Sequence, residues 1–473
     1  MILPKTYRLG LTIAILVAWS SITQGEDLRK EAAAGMLKAA KYYHGEVAVE
    51  GGYVYHYTLD LKTRWGEGLA TEKQIWVQPP ATPTVGMAFL EAYEATGNEY
   101  YLNAAQDAAL ALVYGQLRGG GWERSIDMRW RAEGFPFSGG KKRREGNCSL
   151  DDDQTQAAIR LLCKVDAALQ FKHEEIHQAS LFALDSLLKA QFDNGAFPQV
   201  WREPVSKQPV LKASHPKYDW RSEGRVKNYW DYYTINDGVP GDVADALIVA
   251  HQTYEDERYL TALERLGDFL ILAQMPDPQP AWAQQYNYQM HPIWARKFEP
   301  AAIAGDESQE VIAALLTIAE STGDVKYLGP IPRAIAYLRK SQLKDGQLAR
   351  YYELNTNKPL YMWRRGKEYH LTYDDSQLPS HYSWKNSSRL DKLQAEYERI
   401  KAKRPVPARN EKNLEARVRQ ILDGLDDQGR WITTYDGQRL VGQAKFQVGD
   451  RYLSSEQFSR NIVLISGYLQ SHQ

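Results

Sequence analysis

What this sequence has little of already excludes several classes of protein. Only two of its 473 residues are cysteines, Cys148 and Cys163, which is too few for the disulfide framework of a small secreted domain. The two could pair with each other, or Cys163, in an apolar helical run, could be a buried free thiol. No Cys and His residues have the spacing of a zinc site. A chain of this length can instead bury a large hydrophobic core.

An excess of charge of one sign is also missing. The formal net charge is −1, with 58 Lys and Arg against 59 Asp and Glu, so the sequence has no basic footprint for nucleic acid. No nucleophile elbow, P-loop or dinucleotide fingerprint occurs. The composition is that of an ordinary globular protein, and no single motif identifies a chemistry.

The apolar run at the N-terminus is short. A basic start, Met1–Arg8, precedes an apolar run from Leu9 to Trp19, and small residues follow near Gly25. This order predicts a secretory signal peptide over residues 1–25, because the run is too short for a comfortable membrane span. A retained membrane anchor is the alternative. We expect residues 26–473 to form one domain that is secreted or periplasmic, monomeric and free of the membrane.

Aromatic residues are abundant, with 13 Trp and 30 Tyr. Flat rings suit the faces of sugars, although most rings in a globular protein belong to its core. Apolar residues recur at the three-and-four spacing of helices through most of the chain. Alternation typical of strands is scarce, and its best examples are Gly52–Leu61 and Arg430–Tyr435.

A weak internal repeat organises these predicted helices. A helix ends near a glutamine, a polar or glycine turn follows, and an aromatic or apolar residue begins an extended segment. The glutamines are Gln116, Gln191, Gln274 and Gln342, and a looser copy follows Leu422. Repeated helix pairs can stack as a solenoid or close into a toroid. We expect an all-α fold, an incomplete α/α toroid with long loops and short strands forming a cleft at one end.

Three consecutive acids, Asp151, Asp152 and Asp153, precede a predicted helix. One of them, Asp152 or Asp153, could cap the helix, and the others could complement its positive end. Three carboxylates in one loop also suit a hard cation such as calcium. The residue pattern alone leaves both interpretations open.

A second polar segment ends in Asn236 and Asp237, ahead of another predicted helix. Asp242 is the better candidate for the N-cap of that helix, which leaves Asp237 without a local structural role and favours a functional one. The stretch Trp282–Tyr288 is polar and aromatic and is interpreted as loop rather than core. It leads to Arg296, at a boundary between loop and helix where a groove would form.

Arginines embedded in aromatic segments are the third signal. They are Arg296, Arg350, Arg364 and Arg365. Arginine recognises planar carboxylates through two parallel hydrogen bonds, whereas a single arginine more often lies in a surface salt bridge. Several arginines in such surroundings favour an anionic ligand, and we interpret Arg296 as facing an acidic sugar.

Five motifs together resemble the pectate (pectic acid) lyases, polysaccharide lyase family ten. They are Pro79–Leu90 followed by Glu91–Gly97, Asn194–Gln199, Thr234–Asp237, Trp294–Arg296 with Phe298 and Glu299, and Ala349–Glu353. They occur in the family's order, within a region from about Ala33 to Gly467. Three departures are evident: Ala-Phe follows Asn194-Gly195 where Gly-Trp is usual, no arginine remains near Gln377–Tyr382, and the aspartate segment at Asp151 is shorter than the family's.

The resemblance implies an α/α toroid and calcium-assisted β-elimination of polygalacturonate or a related uronate. The implied catalytic residues are Arg296, Asp151 and Asp237; the implied substrate-binding residues are Arg350, Arg364, Arg365, Asn236 and Trp294; the implied Ca²⁺ ligands are Asp151, Asp152 and Asp237. Asp151 and Asp152 compete for one family role, and so do Arg364 and Arg365.

The family's proton acceptor implied here is Arg296, which would take the C5 proton of the uronate. Arginine normally stays protonated, so a tyrosine or a histidine, His291 or His381, is the alternative base. Two other functions remain open. An inverting hydrolase would use Asp151 and Asp237 as its acid and base, about 6.5–9.5 Å apart. A non-catalytic protein would only bind acidic glycans.

Overall fold

The computed structural model describes residues 27–129, 144–223, 225–406, 413–442 and 444–471. The signal peptide predicted over residues 1–25 lies outside these ranges. Within them, no helix has both the length and the apolar character needed to cross a membrane.

Helices dominate, and they follow the apolar periodicity of the sequence. They are α1 (27–42), α2 (Thr82–Thr96), α3 (Glu99–Gly115), α4 (Gln154–Ala168), α5 (Glu174–Lys189), α6 (Val239–Tyr254), α7 (Glu257–Ala273), α8 (Gly305–Thr322), α9 (Ile331–Ser341), α10 (Leu390–Lys401), α11 (Leu414–Asp423) and α12 (Ser455–Ser471). Short helical turns lie at Tyr43–Val47, Asp151–Asp153, Trp220–Glu223, Tyr229–Asp231 and Val325–Leu328.

Alternate helices form the inner layer of a toroid. Helices α2, α4, α6 and α8 pack side by side in chain order, and each also packs against the outer helix that follows it, α3, α5, α7 or α9. Small residues allow this close approach. A Cβ on Gly86 of α2 would clash with Leu161 of α4 and press against Ala108 of α3. The predicted α/α toroid is confirmed.

The last helix closes the ring on the first repeat. Helix α12 packs along α2, and the Tyr43 hydroxyl lies 2.9 Å from Ser455 Oγ at the start of α12. The ring of Tyr43 stacks on that of Phe458 with 3.9 Å between centroids. The sequence does not predict α12, because its buried face includes small polar residues such as Ser459 and Ser466, which dilute the apolar stripe.

The strands are short and lie in the segments between helices. They are β1 (His56–Thr58), β2 (Arg64–Trp65), β3 (Leu69–Ala70), β4 (Gln74–Trp76), β5 (Ser125–Asp127), β6 (Cys148–Ser149), β7 (Val200–Trp201), β8 (Tyr233–Thr234), β9 (Gln285–Tyr286), β10 (Ala302–Ala304), β11 (Leu348–Ala349), β12 (Tyr351–Glu353), β13 (Pro359–Arg365), β14 (Glu368–Thr372), β15 (Lys385–Asn386), β16 (Ile432–Thr434) and β17 (Arg451–Ser454). The sheets run β16-β17-β1-β2-β3 and β10-β12-β13-β14, with two-stranded pairs β4-β5, β6-β7, β8-β9 and β11-β15. The predicted stretches Gly52–Leu61 and Arg430–Tyr435 contain β1 and β16.

The internal repeat appears as a recurring hydrogen-bond pattern at the end of the outer helices. Three of the four repeat glutamines use Nε2 to donate to two carbonyls, one in the same loop and one at the next outer helix, whereas Gln342 donates to the Gly346 carbonyl of its own loop. The pairs are Gly120 and Ala179 for Gln116, Gly195 and Ala262 for Gln191, and Pro280 and Pro330 for Gln274. The glutamines therefore tie successive repeats together.

Two tryptophans that begin the extended segments belong to the core. Trp122 and Trp282 are fully buried, and each ring nitrogen donates to a carbonyl of the preceding outer helix, Leu112 or Leu270, at 2.8 Å. Tyr286 is also fully buried. The interpretation of Trp282–Tyr288 as loop rather than core is therefore wrong for Trp282 and Tyr286, whose polar neighbours in sequence conceal their burial.

Helix α6 begins earlier than the sequence predicts. Its N-cap is Gly238, with φ 73°, and Pro240 lies in its first turn, where proline's fixed φ suits a helix. The prediction that Asp242 caps this helix is therefore wrong, because Asp242 already lies inside it. The earlier start brings Asp237 next to the helix end.

Candidate active site

Three of the predicted aspartates meet at one mouth of the toroid. The turn Asp151–Asp153 leads into α4, and Asp237 directly precedes the N-cap of α6. Because α4 and α6 pack side by side, one carboxylate oxygen from each of Asp151, Asp152 and Asp237 lies within 4.8 Å of the other two. The positive ends of the two helices favour negative charge here.

The backbone of these loops adopts a conformation that non-glycine residues rarely take. The φ angle is 45° at Asp152, 61° at Asp153 and 55° at Asp237. Such left-handed residues cost on the order of 1–3 kcal/mol each and cluster at functional sites. Asp153 is at the N-cap position of α4, but its side chain makes no capping hydrogen bond and pairs with Arg160 instead.

Asp237 is the centre of the polar contacts. Its Oδ2 accepts hydrogen bonds from Arg296 Nη2 at 2.9 Å, from Gln199 Nε2 at 3.0 Å and from Asn236 Nδ2 at 2.6 Å. The same Gln199 nitrogen donates to Asp151 Oδ1 at 2.6 Å. One amide group thus bridges two carboxylates, and all three contacts leave Oδ1 of Asp237 free of hydrogen bonds from the described residues.

The negative charges of Asp151, Asp152 and Asp237 are only partly balanced by positive charge nearby. Burial raises the pKa of Asp152 to about 6, and the negative charges of Asp151 and Glu67 act in the same direction, against Arg296 and a hydrogen bond from Gln78. That bond joins Gln78 Nε2 to Asp152 Oδ2 at 2.8 Å. A cation would relieve this repulsion, since carboxylate oxygens are the ligands that calcium prefers.

Arg296 is held between two carboxylates. Its backbone nitrogen and Nε donate to Glu299 Oε2 at 3.1 and 2.8 Å, while Nη2 reaches Asp237. Burial alone would lower the pKa of Arg296, but Glu299 and Asp237 raise it above its ordinary value. The guanidinium is therefore protonated, and its side chain remains 33% exposed, so that it can reach a ligand.

A cleft of about 620 Å³ opens beside these groups. This size is typical of small-molecule and cofactor sites. Its lining includes Asn147, Ser149, Asp151, Gln199, Trp201, Arg202, Tyr229, Trp230, Asp231 and Arg296. Aromatic rings, two arginines and two carboxylates in one cleft suit a ligand that is both ring-shaped and charged.

A buried network supports the site from behind. The Tyr382 hydroxyl donates to Glu299 Oε1 at 3.1 Å and lies 3.0 Å from the Tyr351 hydroxyl. It also accepts from Gln284 Nε2 at 3.2 Å, and the same nitrogen donates to Asn236 Oδ1 at 3.0 Å. The network links the residue that holds Arg296 to the neighbour of Asp237.

Two further predicted residues lie in this supporting layer. The Arg350 guanidinium pairs with Glu307 of α8 and lies 4.4 Å from the ring centroid of Tyr382. Trp294 donates from its ring nitrogen to the Arg296 carbonyl at 2.9 Å. Neither lines the cleft.

The remaining predicted residues lie elsewhere. Arg364 and Arg365 are exposed on the hairpin of β13 and β14, and Arg364 Nε donates to the Gly366 carbonyl at 2.6 Å. They do not line the cleft either. Cys148 and Cys163 are both buried free thiols, so the possible pairing between them is wrong.

Four residues of the site received no role from the sequence: Gln78, Gln199, Glu299 and Tyr382. Gln199 and Glu299 belong to motifs that carry the resemblance, and that position in the sequence could have identified them as site residues. Tyr382 ends the segment that lacks the usual arginine. Gln78 has no signal beyond its position ahead of the motif that begins at Pro79.

The mouth of the α/α toroid thus combines carboxylates, an arginine and aromatic rings. The family model of the pectic acid lyases matches residues 116–349, which include Asp151, Asp237 and Arg296. This segment belongs to the pectic acid lyase family, and the predicted resemblance is confirmed. The match supports a lyase that acts on polysaccharides.

Solved structures share the architecture at low sequence identity. A variant of a family 10 polysaccharide lyase from Cellvibrio cellulosa, in complex with trigalacturonic acid, is 19% identical, with 67% of this chain and 99% of that chain covered and a TM-score of 0.46. Cellobiose 2-epimerase from Spirochaeta thermophila is 16% identical, with 95% and 98% covered and a TM-score of 0.48. Among curated proteins, none matches this sequence.

Proposed function

We propose that the protein cleaves polygalacturonate, or a closely related polyuronate, by calcium-assisted β-elimination. The observation that carries the proposal is the contact between Arg296 and Asp237, within 4.8 Å of two further carboxylates, at the edge of an aromatic cleft. The match to the pectic acid lyases over residues 116–349 supports the same chemistry.

Asp151, Asp152 and Asp237 are the residues that would hold the calcium ion. Their crowded oxygens fit a hard cation, and the pKa of Asp152 is raised first by burial and then by the negative charges of Asp151 and Glu67. A bound calcium ion would supply positive charge that neutralises the uronate carboxylate and thereby acidifies the neighbouring C5 hydrogen.

Arg296 would act on the same carboxylate from the other side. Glu299 and Asp237 keep it protonated, so it binds the uronate carboxylate and stabilises the enolate-like charge that develops when the C5 proton leaves. Departure of the O4 group then completes the elimination and leaves an unsaturated sugar.

The proton acceptor has four candidates, Arg296, Tyr229, His291 and His381. Arg296 could take the C5 proton only after losing the two carboxylates that hold its own proton. Tyr229 lines the cleft, whereas His291 and His381 do not. His381 contacts the ring of Phe298, 5.1 Å between centroids. We propose that Arg296 stabilises the developing charge, and we would make Arg296→Ala first because it tests this role and that of the base together.

The spacing of the carboxylates argues against the inverting hydrolase. Its acid and base stand about 6.5–9.5 Å apart to admit a water molecule. Oxygens of Asp151 and Asp237 lie within 4.8 Å of each other, and Gln199 bridges them. This separation suits shared cation binding better than acid–base hydrolysis.

We also propose that residues 1–25 are a signal peptide, that 26–473 act as one exported domain, and that the enzyme works as a monomer outside the cytoplasm. An exported enzyme would meet its polysaccharide there. Mass spectrometry of the exported protein would locate its N-terminus, and sedimentation would give its oligomeric state. A mature N-terminus at Met1 or a stable dimer would overturn the respective proposal.

The decisive assay follows ultraviolet absorbance of the unsaturated uronide during incubation with polygalacturonate. We expect a calcium-dependent rise that chelator abolishes and that Arg296→Ala lowers by about 10²–10³-fold. New reducing ends without absorbance would instead indicate hydrolysis. Binding without either product would indicate a glycan-binding protein.

A further inference from the structure

Three cavities meet at Arg202. The first is the cleft that contains Arg296 and Asp151. A second cavity of about 390 Å³ lies between Arg118, Glu145 and Arg202. A third, of about 260 Å³, lies between Lys189, Trp201 and Arg202. Arg202 lines all three, so the cavities adjoin at its side chain, and we call the three together the trough.

The fold positions the Arg202 side chain in this trough. Strand β7 pairs with β6, with Trp201 opposite Cys148, so Arg202 emerges beside Asn147 at the end of the ribbon. Its Nε donates to Asn147 Oδ1. This contact fixes the guanidinium and leaves its two Nη groups for another partner.

Arg202 differs from the other arginines of the trough in its charge partners. Arg296 pairs with Asp237 and Glu299, and Arg118 pairs with Glu145. Among the described residues no carboxylate forms an ion pair with Arg202, although Glu203 and Asp231 also line the trough. The charge of Arg202 acts to lower the pKa of Asp231, against burial, which raises it. An exposed guanidinium that is held by an amide and has no close ion pair among the described residues is suited to an incoming carboxylate.

An aromatic surface accompanies this guanidinium. Trp230 lines the same cleft and is 37% exposed. Its ring is held by Tyr229, with 5.1 Å between centroids and an interplanar angle of 73°. A large amphipathic ring with a free face gives a flat apolar contact for a sugar.

We infer that Arg202, with Trp230, binds the carboxylate and ring of a second uronate residue, away from the bond that is cleaved. The inference rests on the proposed function, because it assumes a polyuronate in the cleft. Arg202 is a binding residue here, and it would make the enzyme favour long substrates over short ones.

The test compares Arg202→Ala, Arg202→Lys and the wild type on polygalacturonate and on oligogalacturonates of increasing length. A charged hydrogen-bond pair predicts that Arg202→Ala raises KM for the polymer about tenfold or more while kcat changes little. The effect should vanish on the shortest substrate that is cleaved. Arg202→Lys should recover part of the affinity, since it keeps the charge but not the planar fork.

Two further variants serve as controls. Arg333→Ala removes an exposed arginine that pairs with Asp277 and lines none of the three cavities, so its KM should match the wild type. Asn147→Ala removes the group that fixes Arg202 and should raise KM less than Arg202→Ala does. Equal KM values for Arg202→Ala and wild type at every length would overturn the inference, and so would a uniform loss of kcat that includes the shortest substrate.

Calorimetry with oligogalacturonate in chelator separates this inference from the proposed reaction. If the wild type binds but produces no unsaturated product with calcium, and Arg202→Ala weakens binding, the subsite holds and the reaction fails. If the wild type is active and Arg202→Ala binds as tightly, the subsite fails and the reaction holds. If the wild type neither binds nor cleaves oligogalacturonate, both fail.

Discussion

Arg296 and Asp237 form the ion pair on which the candidate site is built, with Nη2 and Oδ2 2.9 Å apart. The pair joins the loop ahead of α8 to the residue just before the N-terminus of α6, so two successive repeats contribute one residue each. Asp237 holds the arginine in place and, through its other oxygen, remains available to a cation. Because it has both roles, we expect replacement of Asp237 to impair the site more than replacement of either of the other two aspartates.

Replacement of Asp237 by asparagine should therefore remove calcium binding and activity together. Loss of an outer-shell partner of a metal ligand typically lowers metal affinity 10–100-fold, and loss of a charged ligand should lower it at least about tenfold. Calorimetric titration with calcium would measure this. Asp231→Asn, an acid of the cleft outside the group of three, should bind calcium as the wild type does. Unchanged affinity in Asp237→Asn would exclude Asp237 as a ligand.

Replacement of Tyr382 by phenylalanine tests the supporting network. It leaves Glu299 Oε1 without its 3.1 Å donor, so Arg296 should lose its fixed position and kcat should fall about tenfold with little change in KM. An unsatisfied buried group also costs about 1–3 kcal/mol of stability.

Tyr352→Phe is the matched control for that experiment. Tyr352 is fully buried and donates to the Ser341 carbonyl at 2.7 Å, but it makes no contact with Glu299. It should lower the free energy of unfolding by a similar amount while kcat stays at the wild-type value. Equal losses of kcat in both variants would show that Tyr382 acts through stability alone.

Asp242 should make stability depend on pH. Burial raises its pKa to about 8, Asp153, Asp245 and Glu310 act in the same direction, and Arg160 opposes them. The folded carboxyl keeps its proton between about pH 4 and 8, whereas the unfolded one loses it. Stability contributed by this group is therefore present at low pH and is lost as pH rises through that window.

The variant Asp242→Asn cannot lose this proton. Its melting temperature should match the wild type near pH 4 and exceed it near pH 8, measured in chelator by thermal unfolding. Asp391→Asn changes a carboxylate whose side chain is 93% exposed and should leave the curve unchanged. Parallel curves for Asp242→Asn and wild type would contradict the prediction.

The turn at Gly195 should tolerate no side chain. Its φ is 93°, and a Cβ there would overlap the Arg265 carbonyl. Gly195→Ala should combine the left-handed penalty of about 1–2 kcal/mol with about 1–3 kcal/mol of overpacking. Gly323→Ala has φ 71° and no atom within 4 Å of the new Cβ, so it should show only the first cost. Denaturant unfolding would compare them, and equal losses would exclude the clash.

The sequence predicts the toroid because its helices bury continuous apolar stripes, and such stripes appear in the sequence as apolar residues at three-and-four spacing. It also predicts that Asp151, Asp152, Asp237 and Arg296 matter, since each stands where a helical pattern breaks. It does not predict the start of α6, because Val239 and Pro240 precede the polar residue that a capping rule selects.

The sequence does not predict contacts between segments that are distant along the chain. Arg350 has the same aromatic surroundings as Arg296, but its partner Glu307 is an acid of another segment, and only the fold brings them together. Tyr382 likewise has no periodic or motif signal. Its role arises from Glu299 and Gln284, which both lie between α7 and α8 and contact its hydroxyl from 83 and 98 residues earlier in the chain.

The closure of α12 onto the first repeat also orders the events of synthesis. The contact between Tyr43 and Ser455 spans a separation of 412 residues, so the ring cannot be completed until the ribosome has made nearly the whole chain. Asp151, Asp237 and Arg296 all emerge before that moment, in a structure whose first repeat still exposes the face that α12 will cover. Until α12 is synthesised, the apolar face of the first repeat lacks the helix that covers it in the fold, and exposed apolar surface of this kind favours aggregation.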